Sequence, residues 1–480
     1  MIVKSRERHG RLFRASALFL TAAAPVCAAQ PVQTLLVHMP IGLDIDNMPD
    51  RFLRAVDQAP PDGAFARAIA EATRRAPTVN EAIASVRETQ GVRAEVRAGL
   101  RPRVEIEVTG QKAIDRRFSN DRNNILERSR PDLRDDASLT AEQLLFDFGA
   151  TSRRIGAARA REDAARAGVT SAAETAALEA ASAWYEIYLA DAEVDLADAL
   201  VVRHQSVLAD TRARVTAGLG ARADLARVET YIAAAQARTE RAHAAREAAR
   251  LKYRSVADTE PPLYPARPTV PPDASGGYAS ALAAAQRSPA MMVATDRAEA
   301  ARRDLAAVRA DRWPRFSGGI DAAKYSVSSD VIDHDVRARL TMRYQLTGGG
   351  ITEARESEAA ARVAQQDFVA ERVRNETARD AGIAYRAVES LAREAAILRD
   401  AYLAARRTRD AYNEQFRVAR GSLLELLRAQ VDLHDAAVAY ARAIAERDLA
   451  RYTLLARTGE LLAFLRIDID IDAAPRSTRP

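Results

Sequence analysis

The sequence predicts a mainly α-helical fold with a small β part, built from two copies of a long helical hairpin and four strands. Three observations carry this. Thr151–Ala257 and Ile351–Gly459 each read as a very long Ala/Arg/Glu-rich helix, a short break and a return helix. Short stretches ahead of each copy switch from a helical period to strict alternation. The two halves also match each other position by position.

Composition narrows the classes. Charged residues are 29 % of the 480 and aromatics only 5 %, as expected of long helices packed through small side chains. The net charge of +5 mixes both signs, and no basic block is interleaved with stacking aromatics. Solvated helix faces account for it, and a nucleic-acid partner does not. Residues 1–29 read as a secretory signal: Lys4, Arg6, Arg8, Arg11 and Arg14 precede an apolar run from Ala15 to Ala24, then Val26-Cys27-Ala28. That run is too short to span a bilayer. Cleavage after Ala28 or Ala29 removes the single cysteine, while Val26 disfavours lipidation at Cys27. Every later apolar run is interrupted by Arg, Asp or Glu, so no transmembrane helix is expected.

Residues 30–63 look irregular, with scattered Pro, Asp and Gly. The first repeat, 64–260, opens with a helix from Ala64 to Leu100, broken near Pro77. Val104, Ile106 and Val108 then alternate with Glu105, Glu107 and Thr109, a half-buried strand. Residues 112–136 read as a loop, and Ser138–Phe148 as a second strand. Asp147-Phe148-Gly149 closes it. The long helix carries a coiled-coil-like seam at Leu178, Ala181, Tyr185, Leu189, Ala192, Leu196 and Ala199. Its break is Gly218-Leu219-Gly220, and the return helix runs from Ala221 to Ser255.

Six prolines in twelve residues make 261–272 a linker. The second repeat, 273–465, has a helix from Tyr278 to Arg309 containing Pro289, and a strand from Phe316 to Tyr325. A second alternation follows, Val336, Ala338, Leu340, Met342, Tyr344 and Leu346 against Arg337, Arg339, Thr341, Arg343 and Gln345. Gly348-Gly349-Gly350 leads into a helix with the seam Ala381, Tyr385, Val388, Leu391, Ala395, Leu398 and Tyr402. Its break is Ala419-Arg420-Gly421, and Leu423–Gly459 returns. Residues 466–480 form a polar tail.

The register supports duplication. Pro77 and Pro289, like Pro102 and Pro314, are 212 apart; Phe146 and Leu346, like Tyr185 and Tyr385, are 200 apart; Asp224 and Glu425 are 201 apart. The one-residue step is expected near the hairpin break, where insertions are cheap.

Four strands of about ten residues have the length to cross a membrane when tilted, but a filled barrel needs about eight. Open edges are forbidden in lipid, so several copies must share one barrel: a dimer with eight strands or a trimer with twelve. Glu105, Glu107, Arg337, Arg339 and Arg343 fit a wet lumen. The simpler alternative is a soluble β-ribbon capping a helical rod.

The order of helix, Arg-Pro strand, Phe-Asp-x-Gly strand end, long hairpin and Pro-rich linker, all repeated, resembles the TolC-type outer-membrane factors over about residues 64–465. Its most specific pieces are Leu145-Phe146-Asp147-Phe148-Gly149, Ala217–Asp224 and Val418–Ala429. The resemblance implies a homotrimer whose α/β barrel channel sits in outer-membrane lipid and continues as helices into the periplasm. It also implies docking to a periplasmic adaptor and an inner-membrane transporter, of ABC type if the branch is type I protein secretion. The Arg- and Ala-rich sequence resembles that branch's toxin exporters; small-molecule efflux is the alternative, and a soluble periplasmic coiled-coil scaffold is one of another class.

The resemblance also places the hairpin tips at a gated periplasmic aperture. Glu425 falls on an acidic ring position, where carboxylates at a narrowing attract cations. Arg428 departs from a second such position, so the two could equally be a helix-surface pair. Phe416 and Gly421 replace a Tyr and an Arg of the usual latch. Asp224, at the other tip, reads better as a helix N-terminal acid. Gly218, Leu219, Gly220, Ala419, Arg420 and Gly421 are the adaptor-docking candidates. Six scattered histidines, without metal-ligand spacing, and the lack of any nucleophile motif or phosphate loop argue against an enzyme or a cofactor. Ile467–Asp472 alternates Ile and Asp but lacks the Gly and Glu of a calcium loop, and a solvated strand or tail is expected.

Overall fold

The computed structural model describes residues 63–472 apart from 120–121, 126–128, 130–131, 264, 269, 272–275, 328–332 and 419, together with Phe52, Leu53 and Val56. The signal segment with Cys27, most of 30–63 and residues 473–480 lie outside the described residues. In chain order the elements are α1 (Ala64–Arg75), α2 (Pro77–Ala98), β1 (Arg103–Lys112), β2 (Leu133–Phe146), α3 (Ala150–Thr216) and α4 (Arg222–Ala257). The second repeat gives α5 (Gly277–Ala285), α6 (Pro289–Ala310), β3 (Arg315–Tyr325), β4 (Asp333–Arg343), α7 (Ile351–Arg417) and α8 (Leu423–Thr458), followed by a short α9 (Leu461–Leu465).

The duplication is visible as equal lengths: α3 and α7 have 67 residues, α4 and α8 have 36, and α2 and α6 have 22. At ~1.5 Å per residue, each long helix extends about 100 Å. Pro77 and Pro289 occupy the first turns of α2 and α6, where the missing N–H costs nothing. Ala150 and Ile351 are 201 apart, as are Thr216 and Arg417. The one-residue step therefore falls before the long helix, not near the hairpin break, and Tyr185 and Tyr385 are not structural equivalents.

A single antiparallel sheet, ordered β1-β2-β3-β4, joins the strand pairs of both repeats. Two strand boundaries differ from expectation. β2 spans 133–146 rather than 138–148, so residues 133–136, expected in a loop, complete its ladder with β1: Leu133 pairs with Lys112 and Asp136 with Thr109. β4 ends at Arg343, leaving Tyr344 and Leu346 outside, because its partner β3 begins at Arg315 immediately after Pro314, which has no N–H to donate.

The main core surrounds α3, which packs against α2, α4, α6 and α8. Its expected seam is present, yet burial extends well beyond one stripe, to Ala177, Ala180, Ala183, Trp184 and Ile187. Small side chains let four helices approach one. Phe65 centres an aromatic cluster with Trp184, Tyr185 and Tyr452, and Phe52 joins a second with Tyr402 and Tyr440.

Two segments expected to be passive are anchored. The Pro-rich linker lies against the helices, with Pro261, Pro265, Pro268 and Pro271 buried. Its Arg267 makes a bidentate pair with Asp448 of α8, at 2.6 and 3.1 Å, and donates to the Val56 carbonyl at 2.7 Å. Arg447 and the Tyr185 hydroxyl also donate to Asp448, and the Trp184 indole donates to the linker carbonyl of Ala266. The tail after α9 is likewise not simply solvated. Ile467, Ile469 and Ile471 pack on the main core, while Asp468, Asp470 and Asp472 face outward, which is the physical sense of the Ile/Asp alternation.

Removing one member of a buried ion pair strands the other charge. Asp448→Ala is expected to lose about 3–5 kcal/mol in denaturant unfolding, and Arg267→Met with Asp448→Leu to lose much less.

Candidate functional site

The ladders give the sheet two chemically opposed faces. Val104, Ile106 and Val108 stand level with Ala141, Leu139 and Ala137 of β2. Those continue to Ile320 and Ala322 of β3, and on to Ala338 and Val336 of β4. Leu340 and Met342 extend the same face. Its large side chains are exposed; Ile106, Val108 and Leu340 are 70–73 % accessible. The opposite face carries Glu105, Glu107, Ser138, Thr140, Asp321, Arg337, Arg339, Thr341 and Arg343. Glu105, Glu107 and the three arginines therefore share one face.

The end of the sheet nearest the helices carries aromatics. Trp313 stacks on Phe148 at 5.5 Å between centroids, and Phe148 meets Phe146 at 4.7 Å. All three are exposed, in the manner of the aromatic girdle that borders a membrane-facing apolar band. Asp147 builds the strand-to-helix turn there. Its carboxylate accepts from the Gly149 and Thr151 amides at 3.1 and 2.7 Å, capping α3. Phe148 and Gly149 are both left-handed, at φ 53° and 84°.

At the far end of the hairpins the two breaks lie together. α3 closes in a Schellman turn: the Leu219 amide reaches the Arg214 carbonyl at 2.8 Å and the Gly218 amide reaches Val215 at 3.1 Å. Gly218 takes φ 75°, as that motif requires. The second break repeats the long hydrogen bond, Arg420 amide to Gln415 carbonyl at 2.9 Å. A Cβ at Gly421 would sit 2.9 Å from the Phe416 backbone nitrogen, so only glycine fits. Ala419 lies outside the described residues. Leu219, Gly220 and Arg420 are exposed.

The gate candidates separate. Glu425 and Arg428 are exposed on the first turns of α8 and form no ion pair with each other, so the helix-surface pair is not made. Asp224 sits half-buried in the first turn of α4, as its helix-terminal reading requires. Phe416 is not an exposed ring residue. It is buried in a cluster with Val207, Val228, Leu426 and Leu427 that unites both tips. A residue the sequence did not single out joins the two hairpins here. Arg214 of α3 lies 4.0 Å over the Phe416 ring and donates to the Phe416 carbonyl, a cation–π contact plus a hydrogen bond between hairpins. An arginine one turn before a break was the available signal, but arginines are too frequent here to stand out.

Just behind the tips, His204 is 1 % exposed, edge-on to Tyr231 at 5.8 Å. Burial pushes its pKa down to about 4. His434, whose Nδ1 lies 3.3 Å from the Leu196 carbonyl, is lowered by burial as well. Among the described residues no group of His, Cys, Asp or Glu is placed to hold a metal, and no helix is long and apolar enough to cross a membrane.

Comparison with known proteins follows this geometry. The sequence profile of the outer membrane efflux protein family matches residues 68–256, most of the first repeat. A search of curated protein sequences finds no match. The fold is shared with a membrane protein from Pseudomonas aeruginosa, at a TM-score of 0.72 and 19 % identity, over 83 % of this chain and 92 % of that one. It is shared equally with the outer membrane protein VceC of Vibrio cholerae, at 0.71 and 15 % over 85 % and 98 %. The open state of the MtrE outer membrane channel of Neisseria gonorrhoeae matches at 0.71 and 19 % over 85 % and 93 %. The chain has the fold of outer-membrane channels. The match spans 92–98 % of these neighbours' own lengths.

Because its pKa is depressed when folded, His204 stabilises the folded state above its ordinary value of 6.5, and that contribution is lost as pH falls toward 4. His204→Phe should flatten the acid limb of a thermal-stability profile between those values; an unchanged limb would assign the pH dependence elsewhere.

Proposed function

We propose that this chain is the outer-membrane channel of a tripartite export system, a homotrimer extending into the periplasm that performs no chemistry itself. The observation that carries the reading is the two-faced sheet. Its largely apolar face, interrupted by Gln143, Lys324 and His334, suits lipid and its charged face suits water, while both edges stay open. Strands of 10 and 11 residues match tilted membrane-spanning strands. Hydrocarbon leaves no room for unpaired backbone groups, so three copies closing a twelve-stranded barrel meet the requirement and leave a lumen. The long hairpins then form a periplasmic tube, and energy comes from an inner-membrane transporter reached through an adaptor at the tips.

For the cargo we favour type I secretion of a toxin-like protein through an ABC transporter, on the resemblance of the Arg- and Ala-rich sequence to exporters of adenylate-cyclase haemolysin toxins. Efflux of small molecules is the second reading, supported by the efflux family whose profile matches the first repeat. A neighbouring toxin gene with a transporter and adaptor would favour the former, a neighbouring resistance pump the latter. A soluble periplasmic scaffold, the reading of another class, leaves the exposed apolar face of the sheet without a role.

Fractionation tests the channel reading: the protein should appear in outer membranes as a trimer band that shifts on heating, and recovery only as a soluble periplasmic protein would end it. In planar bilayers Arg214→Ala should raise open conductance by releasing the two tips from each other. Glu425→Ala should reduce cation selectivity if its carboxylate lines the aperture, and unchanged selectivity would remove it from that role.

A further inference from the structure

Where the helices leave the sheet, α3, α6 and α7 enclose an open groove of about 850 Å³. Small side chains make its floor, with Ala300, Ala307 and Ala359 buried. Five arginines line it, Arg154, Arg161, Arg297, Arg355 and Arg362, against two acids, Asp304 and Glu358. Asp304 pairs with Arg161 and Glu358 with Arg362, while Asp311 beside the groove pairs with Arg154. Glu356, next to Arg355 in the chain, is engaged by Arg309 and Arg312. Arg297 and Arg355 are exposed and have no ion-pair partner among the described residues. Two guanidiniums of one groove are thus left without a counter-charge.

Resting on the channel reading, we propose that this groove is a lumenal binding site for an acidic stretch of an exported polypeptide, extended along the tube axis. The spacing of the free charges selects the ligand. Arg309 of α6 meets Glu356 of α7 at 2.9 Å, so those two levels coincide. Arg297 lies twelve residues before Arg309, about 18 Å along the helix at ~1.5 Å per residue. A lone phosphate or carboxylate reaches one of the two free arginines and not both. An extended acidic chain reaches both, since roughly five residues span that distance. The side on which the groove opens follows from the C-terminal tail. Arg166, five residues after Arg161, points about 140° further round α3 and contacts Asp472 of the tail at 3.8 Å. The bore of a tube has no room for that added layer, so the tail lies outside and the groove faces the lumen. Guanidinium–carboxylate bonds are charge-assisted and directional, yet exposed pairs are individually weak. That combination suits a passing chain, which must be held and also released.

The test places the full chain in planar bilayers and adds a soluble Asp/Gly/Ser peptide, with its Asn/Gly/Ser counterpart as control. The Asp peptide should block current at concentrations where the Asn peptide does not, and added salt should relieve the block. Arg297→Gln with Arg355→Gln breaks no ion pair, and should raise the half-blocking concentration roughly three- to tenfold. Asp304→Asn frees Arg161 and should lower it. Equal block by both peptides, or a half-blocking concentration unmoved in the double variant, would overturn the site. If these arginines govern binding to phosphatidylglycerol vesicles and not the block, the groove belongs to lipid phosphates and the polypeptide site is overturned. If the unmodified protein conducts no current, the channel reading fails. Fluorescence anisotropy of the Asp peptide on the detergent-solubilised protein then decides the groove by itself: binding weakened in the double variant supports it, and binding absent or unmoved ends it.

Discussion

The constraint on which the rest of the structure depends is the backbone of a four-stranded sheet with two open edges and one apolar face. Each edge carries unpaired N–H and C=O groups, which water can satisfy and hydrocarbon cannot. The apolar face, with Ile106, Val108 and Leu340 largely exposed, gains little in water. On the proposed channel reading, closure with identical sheets satisfies edge and face together. Each repeat supplies one strand pair, and β2 and β3, from different repeats, form the centre of the sheet.

The helical part answers a different requirement, that of length without a large core. Alanine-rich helices approach closely and bury α3 among four neighbours. Polar anchors then fix the segments that alanines cannot grip. Arg267 and Asp448 tie the linker of the first repeat to the return helix of the second, and the Ile467, Ile469 and Ile471 strap secures the C-terminal end on the main core. Glu174 belongs to the same region. Burial raises its pKa to about 7 despite its bonds to the Leu461 and Leu462 amides, so the carboxyl there is held near neutrality. At the opposite end the tips are joined by apolar contacts around Phe416 and by the Arg214 stack. These are local contacts between two hairpins, separate from the main core.

Much of the candidate site was legible in the residues. The glutamate and arginine alternations set the faces of β1 and β4, because side chains alternate strictly along a strand. The Gly218 and Gly421 breaks were legible because few residues turn a helix so tightly. What escaped reading had no local signature. Arg214 is one arginine among many until the second hairpin brings Phe416 beneath it. The first residues of β2, Leu133–Asp136, are too polar to read as strand, and their pairing with β1 overrides that composition.

By itself the sequence determined the repeats, the helix and strand periods and the positions of the breaks. All of these follow from spacing along one chain and from the fixed geometry of helix and strand. Only the tertiary structure decided that β2 and β3 join the halves into one sheet, that the helix register shifts by 201 from its first turn, that linker and tail are packed, and that Phe416 is buried between the two hairpin tips. Those depend on which distant residues meet, and contacts between residues some 200 positions apart are set by packing across the whole fold, which no local pattern records.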